Sequence, residues 1–456
     1  MAHPATYERR LNLLDAAMVV IGGTIGGGIF LNPAVVAQRA HTATFVLLTW
    51  IIGGAIAVAG ALCYAELGAR RPQAGGGYVY LREMWGPLPA FLYGWMFLWV
   101  VNTGGIAAVA VTFARYFADL AHLPVRDVIP IAIGAIVLLS FVNYLGIRAG
   151  AVTQNIFTVL KLIALAALIC AGIFFVHLAM PSVSPVPPLT PIPSGDVVRV
   201  LGTALIPVLF AYGGWAHLNN VAGEIRNPER TIPRAIIIGI FVVMTVYVLA
   251  NVAYLRTLGA AGLAASTAPA SETMRAIFGA TGGTLIGMGV VASTFGFVNL
   301  SILSAPRILQ QMAHDGLFFK RAAVLHPKYR TPHVAIWVQA VWAIALVLSG
   351  TYGQLLDYVV FGDWLFAAAV VVTVFAYRRA DVARAMSGND GEPRGYRVPG
   401  YPVVPICFII VSLYVVVSTV ISAPRNAMYG AIIILAGVPA FYAWQRRVTR
   451  VVDVAG

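Results

Sequence analysis

Apolar stretches of about 20 residues, the length needed to cross a bilayer, recur along this chain from residue 13 to residue 445. In hydrocarbon a spanning segment must satisfy its own backbone N–H and C=O groups, and a helix does so. The chain is therefore read as an all-α polytopic membrane protein. Composition agrees: 60% of its residues are hydrophobic and 10% charged, whereas a soluble domain is about 25% charged. Twelve spans are expected, near 13–38, 43–68, 88–119, 127–146, 153–179, 197–222, 233–257, 282–312, 333–350, 354–378, 401–422 and 427–445. The polar start, Met1 to Arg10, leads straight into apolar structure, so no cleavable signal peptide is expected.

Net charge is +13. With the N-terminus placed in the cytoplasm, the inner segments collect most of the 30 Lys and Arg residues, including Arg70-Arg71, Arg226, Arg230, Arg234, Lys320-Arg321 and Arg446-Arg447. That asymmetry is the positive-inside pattern. It predicts an even number of spans with both termini cytoplasmic, in a cell membrane, and gives no reason to expect nucleic-acid binding. Cys63, Cys170 and Cys407 all fall inside apolar segments without metal spacing. They read as small buried apolar residues rather than a disulfide framework.

Pro181 to Ser194 contains six prolines and reads as a stiff extended linker between the fifth and sixth spans. It is a natural seam. If spans one to five and six to ten are equivalent, an odd number of spans per half forces opposite orientations, the inverted repeat of many secondary transporters. A single domain, 1–456, would then hold a first repeat at 13–180, a second at 195–380 and two appended helices at 401–445.

The inverted-repeat geometry requires a broken first helix in each half. Span one contains Ile21-Gly22-Gly23-Thr24-Ile25-Gly26-Gly27-Gly28, and span six contains Phe210-Ala211-Tyr212-Gly213-Gly214-Trp215. Each glycine costs a helix about 1 kcal/mol against alanine, and unwound backbone inside a membrane must face a cavity or protein. The half-helix after a break aims free N–H groups and a partial positive charge at that cavity; the half-helix before it ends in free carbonyls. Such a site suits a zwitterion, its carboxylate on Gly26 to Gly28 and its ammonium on carbonyls near Ile21 and from Phe210 to Ala211. The competing reading, glycines that only let helices pack closely, fits either run alone; the matched pair favours a site.

Lys161 lies within span five. An ionisable residue there is a functional candidate, and its head can sit against the carbonyl end of broken span one. The alternative is a lysine snorkelling to a headgroup. Phe210 and Trp215 flank the second break; Phe210 is the candidate gate over bound substrate. Asn102 and Asn299 fit interhelical hydrogen bonds as well as substrate contact. Glu224, Arg226, Glu229 and Arg230 read as a surface charge cluster, and Asp15 as a partner for one of the arginines. The sequence has no metal-ligand cluster, P-loop or GxSxG, and its glycine run follows no strand, which excludes a dinucleotide fingerprint. No enzymatic activity, metal or cofactor is expected.

Four stretches carry a resemblance to a known family: GGTIGGGIFLNP (22–33), FAYGGWAHLNNVAGEIRNPERTIPRA (210–235), SAPRILQQMAHDGLF (304–318) and YRVPGYPVVP (396–405). The chain resembles the amino acid–polyamine–organocation permeases, and within them the L-type amino acid transporters and their bacterial relatives. The resemblance implies a LeuT-like five-plus-five fold with twelve transmembrane helices. It also implies an amino acid substrate, small or neutral, with cationic amino acids or polyamines as the alternative. By resemblance Gly26, Gly27 and Gly28 hold the substrate carboxylate, the carbonyls of Ile21 and Phe210 hold the amine, and Phe210 acts as a gate; Thr24, Ala211, Gly213 and Trp215, at the two breaks, are the remaining candidate substrate-binding residues. Lys161 matches the span-five lysine that stands where sodium-coupled relatives bind an ion, which implies sodium-independent exchange or proton symport. Thr24 stands where the family pattern has isoleucine, and Gly27 where it has serine. L-type transporters of animals pair with a glycoprotein through an outer-loop cysteine. None is present here, so no disulfide-linked subunit is expected.

Overall fold

Each apolar run closes its own hydrogen bonds. The computed structural model describes residues 7–178, 197–350, 352–386, 395–422 and 424–453, and in it every apolar run is helical. The first half holds α1 (Leu13–Thr24), α2 (Gly28–Ala40), α3 (Ala43–Arg70), α4 (Gly77–Trp85), α5 (Pro87–Met96), α6 (Asn102–Leu120), α7 (Val128–Tyr144) and α8 (Ile147–Phe174). The second holds α9 (Val197–Tyr212), α10 (His217–Asn220), α11 (Pro228–Ala265), α12 (Pro269–Ser304), α13 (Pro306–His314), α14 (His333–Ser349) and α15 (Tyr352–Met386). Two more helices follow, α16 (Val403–Ser422) and α17 (Pro424–Asp453). The expected proline linker, Pro181 to Ser194, lies outside the described residues. No strand occurs among the described residues; a single bridge pairs Leu11 with Ile225.

Ten segments among the described residues are long and apolar enough to cross a bilayer. They match the expected spans one to eight, eleven and twelve. The ninth, α14, is a shorter apolar helix of 17 residues, and the tenth, α15, is a 35-residue helix. Differences lie in the boundaries. The fifth span, α8, starts at Ile147, earlier than expected, because Gly146 (φ 132°) turns the chain into it. Spans seven and eight run past their expected ends, and their backbone turns at Gly259 and Gly279, both at positive φ. The short α4 between the second and third spans was not expected either.

The main core joins α1, α2, α3, α9 and α11, and a second cluster joins α6, α7, α12 and α14. Outward-facing Leu138, Ile163, Ile421 and Leu435 are exposed, as suits side chains whose solvent is lipid. Cys63 is buried, but Cys170 and Cys407 are exposed on the outer faces of α8 and α16, which corrects the reading of all three as buried.

Buried ion pairs gather at the end of the bundle where α1 begins. The N–H groups of Arg10 and Leu11 both donate to the Glu224 carbonyl at 2.9 Å, and Arg226 N–H donates to Leu11. Glu224 is not a surface residue. Its side chain is 1% exposed, like that of Arg307, whose Nε donates to it at 2.8 Å. Burial raises the Glu224 carboxyl above its ordinary range and the Arg307 guanidinium opposes that. Asp15 completes the capping box of α1 with the N-cap Asn12 and accepts from Asn155 at 2.7 Å, with no arginine bonded to it among the described residues. Nearby, the fully buried Glu66 accepts from Arg70, from both Nε and Nη2 of Arg378 and from the Val398 N–H, tying α3 to α15 and to the segment before α16.

Removing one member of a buried ion pair leaves an uncompensated charge and costs about 3–5 kcal/mol. Arg307→Ala is expected to lower the thermal unfolding temperature of the purified protein sharply. Arg307→Met combined with Glu224→Gln should lose much less, and equal losses would refute the pairing.

Candidate functional site

Both expected breaks are present. α1 stops at Thr24 and α2 begins at Gly28, with Gly26 N–H folded back on the Thr24 carbonyl at 2.9 Å. α9 stops at Tyr212 and α10 begins at His217, with Gly214 N–H on the Tyr212 carbonyl at 3.0 Å.

The glycines divide into two kinds. A Cβ at Gly22 would lie 2.0 Å from Gln154 Nε2, and one at Gly23 would lie 2.4 Å from Leu300 Cδ2. A Cβ at Gly214 would lie 2.2 Å from the carbonyl carbon of Gly23. Gly23 and Gly214 let the two broken helices cross backbone to backbone, and Gly22 lets α1 pack closely on α8. At Gly27 a Cβ would meet nothing within 4 Å. Its backbone is ordinary (φ −71°), so neither packing nor conformation asks for glycine there.

The open space at Gly27 belongs to a cavity of about 140 Å³ between the two breaks. That is smaller than the roughly 300–1,000 Å³ of drug-sized pockets and suits a small solute. Of the expected residues, Thr24, Gly26, Gly27, Gly28, Phe210, Ala211 and Gly213 line it. Ile21 and Trp215 do not. Ile21 sits one turn before the break, and its carbonyl accepts the Ile25 N–H at 2.8 Å. Trp215 is 4% exposed and turns toward α16, against the Phe408 ring. Thr24 contributes backbone more than hydroxyl, because its Oγ1 donates to the Val20 carbonyl at 2.9 Å.

Lys161 is fully buried, and its Nζ donates to the carbonyls of Gly22 (3.0 Å), Ile25 (2.6 Å) and Ser293 (3.3 Å). The ammonium therefore sits on the partial negative end of α1, with no carboxylate bonded to it among the described residues. It does not reach for a headgroup. Ser293 Oγ adds a donor to the Ile25 and Gly26 carbonyls at 3.3 and 3.2 Å.

Tyr247 of α11 was missed by sequence reasoning. Its hydroxyl lies 2.8 Å from the Thr24 carbonyl and 3.1 Å from the Ala211 carbonyl, one on each broken helix. Its ring packs between Trp50 and Tyr212 at centroid distances of 5.4 and 4.9 Å. A buried tyrosine needs a partner for its hydroxyl, and that was the only available signal. The cavity wall also includes Tyr64, Tyr93, Phe97, His217, Phe297 and Asp363. Asn102 lines it too and donates to Gln339 at 3.0 Å. Asn299 instead joins helices, through Asn143, Gln154 and the Gly150 carbonyl.

A family model described as amino acid permease matches residues 11–441. The serine/threonine exchanger SteT of Bacillus subtilis is 32% identical over 96% of this chain and 98% of its own. The b(0,+)-type amino acid transporter 1 of Mus musculus is 30% identical over 98% of this chain and 91% of its own. The large neutral amino acids transporter small subunit 2 of Homo sapiens is 30% identical over 96% of this chain and 82% of its own.

The two kinds of glycine should respond differently. Gly214→Ala drives a methyl into the Gly23 backbone, and overpacking of that kind costs about 1–3 kcal/mol, read as a lower unfolding temperature. Gly27→Leu should leave the unfolding temperature unchanged but fill the cavity and abolish amino acid binding in a scintillation proximity assay. Retained affinity would refute the role given to Gly27.

Proposed function

This chain belongs to the amino acid permease family, and we propose that it is a sodium-independent secondary transporter of small or neutral amino acids, working by alternating access. The observation that carries this reading is the cavity between two broken helices, with the N-terminal end of α2 on its wall. The first N–H groups of a helix have no partner inside it and carry partial positive charge. Gly26 to Gly28 line that end of the cavity; the Gly26 N–H is held by the Thr24 carbonyl, and those of Gly27 and Gly28 suit a carboxylate. On the same break, Lys161 holds the carbonyls of Gly22 and Ile25, the place where a sodium ion would otherwise be needed. Phe210, half open to the cavity, is suited to close over bound substrate. Transport then proceeds by exchange or proton symport, with no enzymatic step. A second reading, cationic amino acids or polyamines, draws support from the carboxylate of Asp363 in the cavity wall.

The proposal includes twelve spans in two inverted repeats, 13–180 and 195–380, with 401–445 appended. Supporting it, α4 follows the second span, and the stretch between Gly259 and Gly279 follows the seventh, as matching irregular elements. Arg70, Arg71, Arg226 and Arg307 gather with Arg10 at the end where α1 begins, which suits a cytoplasmic face with both termini on the inner side of a cell membrane. The three cysteines all lie in helices of the bundle, so no disulfide-linked subunit is part of the proposal.

Uptake of labelled amino acids into proteoliposomes tests the reading. Uptake of small neutral amino acids should rise with internal amino acid or an inward proton gradient and persist when sodium is replaced by choline. Strict sodium dependence, or no uptake of any amino acid, would sink it. Lys161→Ala should abolish or uncouple uptake; unchanged uptake at every pH would remove Lys161 from the mechanism.

A further inference from the structure

The carbonyls expected to receive a substrate ammonium are mostly engaged. Ile21 accepts from Ile25. Gly22 and Ile25 accept from Lys161. Thr24 and Ala211 share the Tyr247 hydroxyl. The carbonyl end of α1 thus already holds a cation of the protein's own, and a second one there would be repelled. What remains open lies on the α9 side. Among the described residues the Phe210 carbonyl accepts only the Gly213 N–H, at 3.3 Å.

Gly213 marks the place. A Cβ built on it would have three nearest atoms, all oxygens: Phe210 carbonyl at 3.4 Å, Leu209 carbonyl at 3.7 Å and Asp363 Oδ2 at 3.9 Å. The space left by the missing side chain is bounded by two carbonyls at the negative end of a half-helix and one carboxylate. Gly213 and Asp363 both line the cavity. No Lys or Arg lines it, and its histidine, His217, is bonded through Nδ1 to Ser304 Oγ at 2.7 Å. Asp363 makes no ion pair among the described residues. The neighbouring polar groups of the wall, Tyr64 on α3 and Tyr93 on α5, are neutral. A carboxylate kept in the middle of a membrane protein without a partner is costly and marks a functional position.

We propose that Asp363, with the Phe210 and Leu209 carbonyls around Gly213, forms the subsite that binds the α-ammonium of every transported amino acid. This deepens the transporter reading and rests on it. The substrate would lie between two poles, its carboxylate on the N-terminal end of α2 and its ammonium at Asp363. Lys161 would neutralise the α1 carbonyls without touching the ligand. The class of ligand follows: a free protonated amine beside a carboxylate, with the side chain unspecified by this subsite. Lactate, in which a hydroxyl replaces the α-ammonium of alanine, would be rejected.

The test measures binding of L-alanine, L-lysine and L-lactate to purified wild type, Asp363→Asn and Gly213→Ala, with proteoliposome uptake of alanine alongside. Gly213→Ala places a methyl at ordinary contact distances, so it should fold while occupying the oxygen-lined space. The expected result is a loss of alanine and lysine affinity of about ten- to hundredfold in both variants, the scale of a hydrogen bond to a charged group. The preference of wild type for alanine over lactate should collapse in Asp363→Asn. A loss confined to lysine would assign Asp363 to a cationic side chain and overturn the proposal, as would unchanged alanine affinity in either variant. Should Asp363→Asn not fold, Gly213→Ala and the lactate comparison on wild type decide. Wild type that takes up no amino acid would instead overturn the transporter reading itself.

Discussion

Unwound backbone inside a bilayer must have every polar group answered, because no water is there to answer it. Two breaks in this chain create that need at one place, and the surrounding helices meet it. Lys161 of α8 and Ser293 of α12 take the carbonyls at the end of α1. Tyr247 of α11 takes one carbonyl from each break. These donors come from three helices that the bundle must hold in register, so the breaks depend on the fold as much as the cavity depends on the breaks. Among the described residues, the groups left open toward the cavity are the N–H groups of Gly27 and Gly28 and the Asp363 carboxylate, beside a Phe210 carbonyl that accepts only the Gly213 N–H. Opposite partial charges therefore face the same cavity, which is the pattern a zwitterion completes.

The two readings of the glycine run turn out to apply to different glycines. Gly22, Gly23 and Gly214 are packing residues: an added Cβ at any of them would meet another atom inside 2.5 Å. Gly23 against Gly214 brings the breaks together, while Gly22 seats α1 on α8. Gly27 has open space and an unstrained backbone, so its missing side chain shapes the cavity rather than the fold. Gly26 is intermediate, facing the Phe297 ring at 3.2 Å. Close approach of two backbones and room for a ligand are separate demands, and one short motif meets both.

The helices were legible because hydrocarbon leaves a chain one local solution per span, and apolar runs announce it. The breaks were legible because glycine clusters are costly in a helix and two of them sat at matching positions. Lys161 was legible as a charge with no other reason to be in a span. What stayed hidden depends on rotation about helix axes. Nothing in the sequence says that Trp215 turns to Phe408 while Phe210, five residues earlier, faces the cavity. The same holds for Cys170 and Cys407 on the outer face. The ion pair of Glu224 with Arg307 joins residues 83 apart, and each alone looks like surface charge near a helix end. Tyr247 was one aromatic among many in apolar runs; its role exists only in three dimensions.

With Asp363 assigned to the ammonium, charge balance separates the loaded carrier from the empty one. Lys161 already has the carbonyls of Gly22, Ile25 and Ser293 as partners and needs no substrate charge. Asp363 lacks a protein counter-charge among the described residues. Closing the bundle around an empty cavity would strand its carboxylate, and an unpaired buried charge is strongly unfavourable. Closing around a zwitterion supplies an ammonium to Asp363 and a carboxylate to the positive end of α2. Differential stability of the closed state with and without substrate is the energetic content of a population shift. A carrier that closes readily only when loaded returns readily only when loaded, which biases it toward exchange. Proton symport needs the same residue to close neutral, with a proton in place of the ammonium. The choice between the two mechanisms then rests on how Asp363 is neutralised during the return step.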